Sequence, residues 1–135
     1  LRFNAVNHNN KDHVGISSLL DRTDNLYWRL DTKVILVPTI KGSKLMEIIN
    51  KDIDMCKIDV EGATYEVLES FGDSISRIKS FHIEAEHKVV WKKQKLYSII
   101  ESFLTEHGFE KIYFKYVNDV VVQSDSIWVQ KKYVI

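Results

Sequence analysis

Lys57-Ile58-Asp59-Val60-Glu61-Gly62-Ala63-Thr64-Tyr65-Glu66-Val67-Leu68 is the stretch on which the reading of this chain turns. Met55, Cys56, Ile58 and Val60 form a short apolar run, broken only by Lys57, that suits an inner strand of an α/β sheet over residues 55–60. Gly62 lets the backbone turn. Ala63, Val67, Leu68 and Phe71 then recur at helical spacing, which predicts a helix over 63–71. In open α/β sheets ligands collect at the carboxyl ends of the strands, where Asp59 and Glu61 stand.

Downstream, Phe81, Ile83 and Ala85 alternate with His82, Glu84 and Glu86, a period of two that predicts a strand over 80–86 with one apolar face. If the two strands are neighbours, their carboxyl ends bring Asp59, Glu61 and Glu84 into one cleft. Spacing alone also allows these carboxylates to make turn and helix-cap bonds. Glu86 and His87 extend the set toward magnesium or manganese ligation, although no diagnostic metal spacing is present and no metal site is assigned. His87 would point away from Glu84 and Glu86 unless the strand has ended. His82 shares their face. Trp91, in the loop beyond, suits packing or an aromatic wall.

The rest of the chain fits the same architecture. Residues 2–6 form a short strand, 7–12 a polar turn carrying His8, 14–20 an extended segment after His13, and 21–32 a surface loop. Val34 to Val37 is a β-branched strand ended by Pro38, and Ser43 is placed to cap a helix over 44–51. Leu96, Ile99, Ile100, Phe103 and Leu104 make one stripe of a helix over 93–107, stopped by Gly108. Strands follow at 112–117 and 127–129, with an Asn118-Asp119 turn and a short strand at 120–122 between them. Strands alternating with helices and closing on a strand pair indicate an α/β sheet with an antiparallel C-terminal edge.

Bulk composition narrows the function classes. A chain of 135 residues with 44% apolar and 28% charged residues is one globular domain or a large part of one. A formal net charge of zero gives no electrostatic argument for nucleic acid or an anionic membrane, and Lys92, Lys93 and Lys95 read as a solvated helix face. The single Cys56 fits a core position and a reducing, cytoplasmic setting. No apolar run approaches a membrane span of about 18 residues.

The run KIDVEGATYEVL resembles the hallmark of FkbM-type methyltransferases, which commonly read K-I-D-V-E-G-A-E-x-x-V-L. Ile78 to Glu84 resembles the family's next strand, Ile99 to Phe109 its helix ending in Gly-Phe, and Ile127-Trp128-Val129 its terminal strand. Asn4-Ala5-Val6 and Gly15-Ile16-Ser17-Ser18-Leu19 resemble two weaker signatures. Thr64 departs from the family's usual Glu.

The resemblance implies a Rossmann-like class I methyltransferase sheet, S-adenosylmethionine as cofactor, and transfer to a hydroxyl of a sugar, glycolipid or polyketide-like acceptor. It implies Asp59 or Glu61 as base or acceptor-orienting group, Glu84 as a second anchor, and Ser17, Ser18 and His82 near the substrate. Asn4, Ala5 and Val6 would border the adenine. A Gly-rich turn after the first strand is expected of such a domain. Yet Gly15, Gly42, Gly62, Gly72 and Gly108 are all isolated, and the chain opens on Leu1. Residues 1–135 are therefore expected to be an N-terminally truncated, single partial domain, inactive alone and with an open sheet edge prone to self-pairing. The rival expectations are a metal-dependent hydrolase using the Asp/Glu/His set, with magnesium, and a non-catalytic remnant of the fold that binds a partner.

Overall fold

The computed structural model describes residues 1–6, 17–23, 32–117 and 121–134. The turn expected at 7–12, His8, His13, Gly15, residues 14–16 and 24–31 of the segments 14–20 and 21–32, and the Asn118-Asp119 turn lie outside the described residues.

Among the described residues, six strands and three α-helices follow one another as β1 (Arg2–Val6), β2 (Thr32–Leu36), α1 (Gly42–Ile49), β3 (Ile53–Ile58), α2 (Thr64–Ser70), β4 (Ile78–Glu86), α3 (Tyr97–Glu106), β5 (Phe109–Tyr116) and β6 (Gln123–Gln130). A 3-10 helix, Gly72–Arg77, joins α2 to β4, and another, Lys131–Tyr133, follows β6. β3 to β6 build a four-stranded mixed sheet in the order β3-β4-β6-β5, while β1 and β2 form a separate antiparallel pair, with Asn4 of β1 also bridged to Ser18. β3 runs parallel to β4, and β6 is antiparallel to both β4 and β5. This is the α/β sheet with an antiparallel edge expected of the pattern. No helix among the described residues is long and apolar enough to cross a membrane.

The period-two alternation of β4 decides which face is covered. Phe81, Ile83 and Ala85 are buried on the side taken by α2 and α3, opposite Trp128, Ser126 and Ser124 of β6. Leu68 from α2 and Ile100 and Leu104 from α3 close this core, with Met46 of α1 and Phe109 of β5 at its margin. Each such side chain contributes about 1.5–3 kcal/mol on leaving water, so this single layer carries most of the stabilisation. His82, Glu84 and Glu86 lie on the other side, beside Ile127, Asp125 and Gln123.

Several boundaries differ from expectation for local reasons. The apolar run at 55–60 is not an inner strand among the described residues: β3 pairs with β4 alone, and Met55 is exposed. α1 begins before Ser43, with Lys41 at its N-cap and no side-chain cap, because the Gly42 amide donates to Ser70 Oγ at 3.0 Å. A Cβ at Gly42 would also stand 2.7 Å from the Phe71 ring, so helix α1 starts where it can touch α2. α3 begins four residues late because Gln94 Oε1 accepts from the amides of Val90 and Trp91 and holds residues 91–94 in a turn. The Lys92, Lys93 and Lys95 side chains are thus exposed ahead of α3, not on its face. Ile99 points outward from the expected apolar stripe. Val121 and Val122 lie in a turn and form no strand.

Candidate functional site

The junction after β3 is built from two consecutive left-handed residues. Glu61 has φ 48° and Gly62 has φ 88°. A non-glycine residue in this region costs about 1–2 kcal/mol, so Glu61 must be held there. Ser18 supplies the hold: its hydroxyl donates to the Glu61 carbonyl at 2.6 Å and accepts from the Leu20 amide at 3.0 Å. Gly62 is required twice over, since a Cβ there would meet Trp91 Cδ1 at 2.3 Å. Trp91 is a buried packing residue whose ring closes this turn.

The turn ends on α2, whose first residue, the buried Thr64, donates to the Glu84 carbonyl at 3.0 Å. That bond ties the start of the helix to the end of β4. Asp59, Glu61 and Glu84 consequently meet, each offering one carboxylate oxygen within 4.8 Å of the others. The convergence of these three carboxylates at the strand ends is thus present.

Their surroundings oppose negative charge. Glu61 is pushed up to about 7, first by burial and then by the charges of Glu86, Glu84 and Asp59, with Arg22 opposing. Glu84 is likewise pushed up to about 7 by burial and by Asp59, Asp125 and Glu86, with Lys57 opposing. Burial raises Glu86 as well, and Gln94 donates to its Oε2 at 3.1 Å. Lys57 pairs with Asp59 at 3.0 Å on the open side. Two acids pushed up toward neutrality beside a third carboxylate can accept a proton and orient a hydroxyl.

The remaining expected residues fall around this cluster in different ways. His82 lies on the Glu84 face, with Nε2 3.0 Å from Asp125 Oδ1. Ser18 is a backbone clamp, and Ser17 precedes it in the chain. Asn4, Ala5 and Val6 lie on β1, where the Asn4 amide and carbonyl bond to Ser18 and its side chain donates to Leu20 and Asp21. His87 does not join the carboxylates. Its amide continues the pairing to Val122, and its ring keeps to the helix-covered face, where Nε2 lies 2.8 Å from Ser124 Oγ. The oxygen-rich set with an imidazole is therefore not assembled.

Three contributors escaped the sequence reading. Gln123 donates to Glu84, and Asp125 faces both Glu84 and His82. Their signal was the alternation of Gln123, Asp125 and Ile127 with Ser124, Ser126 and Trp128. Arg22 has its guanidinium carbon 5.7 Å from the centre of the Trp91 ring, and its Nε and Nη1 are buried without hydrogen-bond partners. No sequence pattern marked it.

With this geometry in view, comparison with known proteins gives one family match: the model described as the methyltransferase FkbM domain covers residues 5–111. No curated protein and no solved structure matches the chain.

Proposed function

The chain belongs to the FkbM methyltransferase family, and on that premise we propose that it supplies the acceptor side of methyl transfer from S-adenosylmethionine to a hydroxyl. The convergence of Asp59, Glu61 and Glu84 at the ends of β3 and β4 carries this reading. Glu61, pushed up to about 7, is the base of choice, because a proton acceptor works best near the ambient pH. Asp59 orients the acceptor oxygen from the open side, and Glu84, fixed by Thr64 and Gln123, anchors a second hydroxyl. His82, held by Asp125, borders the same surface. Acceptors with neighbouring hydroxyls, such as sugars, glycolipids or polyketides, suit such a set of carboxylates.

S-adenosylmethionine, when bound, supplies an electrophilic methyl group. The described residues do not fit it as a complete cradle. The open side of Gly62 is filled by Trp91, Gly42 is packed on Phe71, and the Asn4 side chain is spent on Leu20 and Asp21. We therefore assign the described residues the acceptor side of the domain, with the cofactor held mainly by residues outside the described ones. The edge of β3 that has no partner among the described residues suits pairing with a further strand.

The test is label transfer from methyl-tritiated S-adenosylmethionine to a hydroxylated extract, with calorimetric binding of the cofactor. Both are run on this chain and on a form extended upstream along its own gene. The extended form is expected to bind and transfer, and Glu61→Gln is expected to lower transfer by about 10²–10⁴-fold while leaving cofactor binding intact. Failure of both forms to bind the cofactor, or normal turnover in the Asp59→Asn and Glu61→Gln variants, would overturn the proposal.

A further inference from the structure

A second site lies on the helix-covered face, across the sheet from the carboxylates. A cavity of about 370 Å³ opens between the first turns of α3, the end of β4 and strand β5, walled by His87, Tyr97, Phe114 and Tyr116 and edged by Glu101 and Lys111. Its size is at the lower end of the roughly 300–1,000 Å³ common for small-molecule sites.

The backbone is adapted to form it. A register shift between Lys111 and Tyr113 leaves Lys111 opposite Trp128, Phe114 opposite Ser126 and Tyr116 opposite Ser124. Strict alternation would place Lys111 and Phe114 on opposite faces, so this irregularity turns both toward the cavity. The buried serines of β6 leave room above them for rings.

The lining has a definite chemistry. His87 stacks on Tyr97 with centroids 4.6 Å apart, and Tyr116 meets His87 edge-on at 5.1 Å. Lys111 Nζ lies 5.4 Å from the Tyr97 centroid and 5.2 Å from that of Phe114, and it is paired with Glu101. The two formal charges cancel, and burial lowers His87 so that its imidazole stays neutral at pH 7. Nothing here selects an ion. Tyr97 is 5% exposed, and its buried hydroxyl lies within reach of Lys111 and Ser126. Ser98 adds a second hydroxyl to the lining.

We propose that this cavity binds the ring of a neutral sugar, with its C–H face on the aromatic walls and its hydroxyls on the polar rim. Aromatic faces meet the apolar side of a pyranose, while a rim that both donates and accepts matches hydroxyls that do the same. The inference stands apart from methyl transfer, because binding here requires neither the cofactor nor the carboxylate cluster.

The experiment is a titration of this chain with the methyl glycosides of glucose, galactose and mannose and with N-acetylglucosamine, read by NMR of the aromatic side chains. At least one sugar is expected to shift His87, Tyr97, Phe114 and Tyr116 saturably, with a dissociation constant on the order of 1–10 mM. Tyr116→Ala, at an exposed position, and Lys111→Met are each expected to weaken that binding by about tenfold or more. Absence of saturable shifts with all four sugars would overturn the proposal. So would equal shifts with glycerol, tighter binding of benzoate or choline, or unchanged affinity in both variants. None of these results would alter the methyl-transfer reading, whose test reads cofactor binding and label.

Discussion

The Thr64 hydroxyl donates to the main-chain carbonyl of Glu84 at 3.0 Å, joining the first turn of one helix to the last turn of the neighbouring strand. The residue that departs from the family's usual Glu is thereby a positioning residue for the carboxylate cluster. It is almost wholly buried, so a glutamate in its place would put a fourth acidic group beside three others.

Thr64→Val keeps the shape and removes the donor. It is expected to cost about 1–2 kcal/mol in chemical denaturation, because the bond is lost within the protein and not traded for water. The Glu84 amide and side-chain NMR signals should move in the same variant while those of the β1–β2 pair stay in place.

The carboxylates set the pH dependence of stability. Glu61 and Glu84 titrate at about 7 when folded, against 4.5 ordinarily. Between those values the folded chain holds protons that the unfolded chain has released, so stability falls as pH rises through this window. Below about 4.5 both states are protonated and the penalty vanishes; above about 7 it is fully present. Glu61→Gln and Glu84→Gln should each flatten this slope and raise stability at pH 8, by on the order of 1 kcal/mol after solvent screening. Thermal melts from pH 4.5 to pH 8 read the effect.

Gly62→Ala should be among the costliest small substitutions. The added carbon meets the Trp91 ring at 2.3 Å in a backbone with φ 88°. The expected loss is about 2–4 kcal/mol, summing left-handed strain and overpacking. Relief of most of that loss by Trp91→Leu in the same chain would identify the clash as its source.

Cys56 is packed against the core, and burial pushes its thiol up. Its reaction with a disulfide reagent at pH 7.5 is expected to be about tenfold or more slower in the folded chain than in denaturant. Equal rates would place the thiol at an open surface.

The parts of the fold legible in the sequence were those encoded locally. The alternation of Phe81 to Glu86 gave the strand and its buried face, and the Asp59-Val60-Glu61-Gly62 run gave the turn that gathers the carboxylates. What escaped depends on register between distant segments. Gln123 and Asp125 reach Glu84 because β6 lies antiparallel to β4, a pairing that no short pattern states. His87 stays off the cluster, as the alternation of β4 requires, because its amide continues the pairing to Val122 and its ring keeps the Ala85 face; α3 started late because one side chain, Gln94, captured two amides. The apolar run of β3 suggested an inner strand, yet its second edge has no partner among the described residues.

The most direct test of the carboxylate cluster is a ¹³C NMR titration of the Glu61 and Glu84 side-chain carboxyls in the folded chain. Both are expected to titrate at about 7, and both should move partway back toward 4.5 when Asp59 is replaced by Asn. Ordinary titration of both groups near 4.5, unchanged by that replacement, would contradict a coupled cluster poised to take a proton at neutral pH.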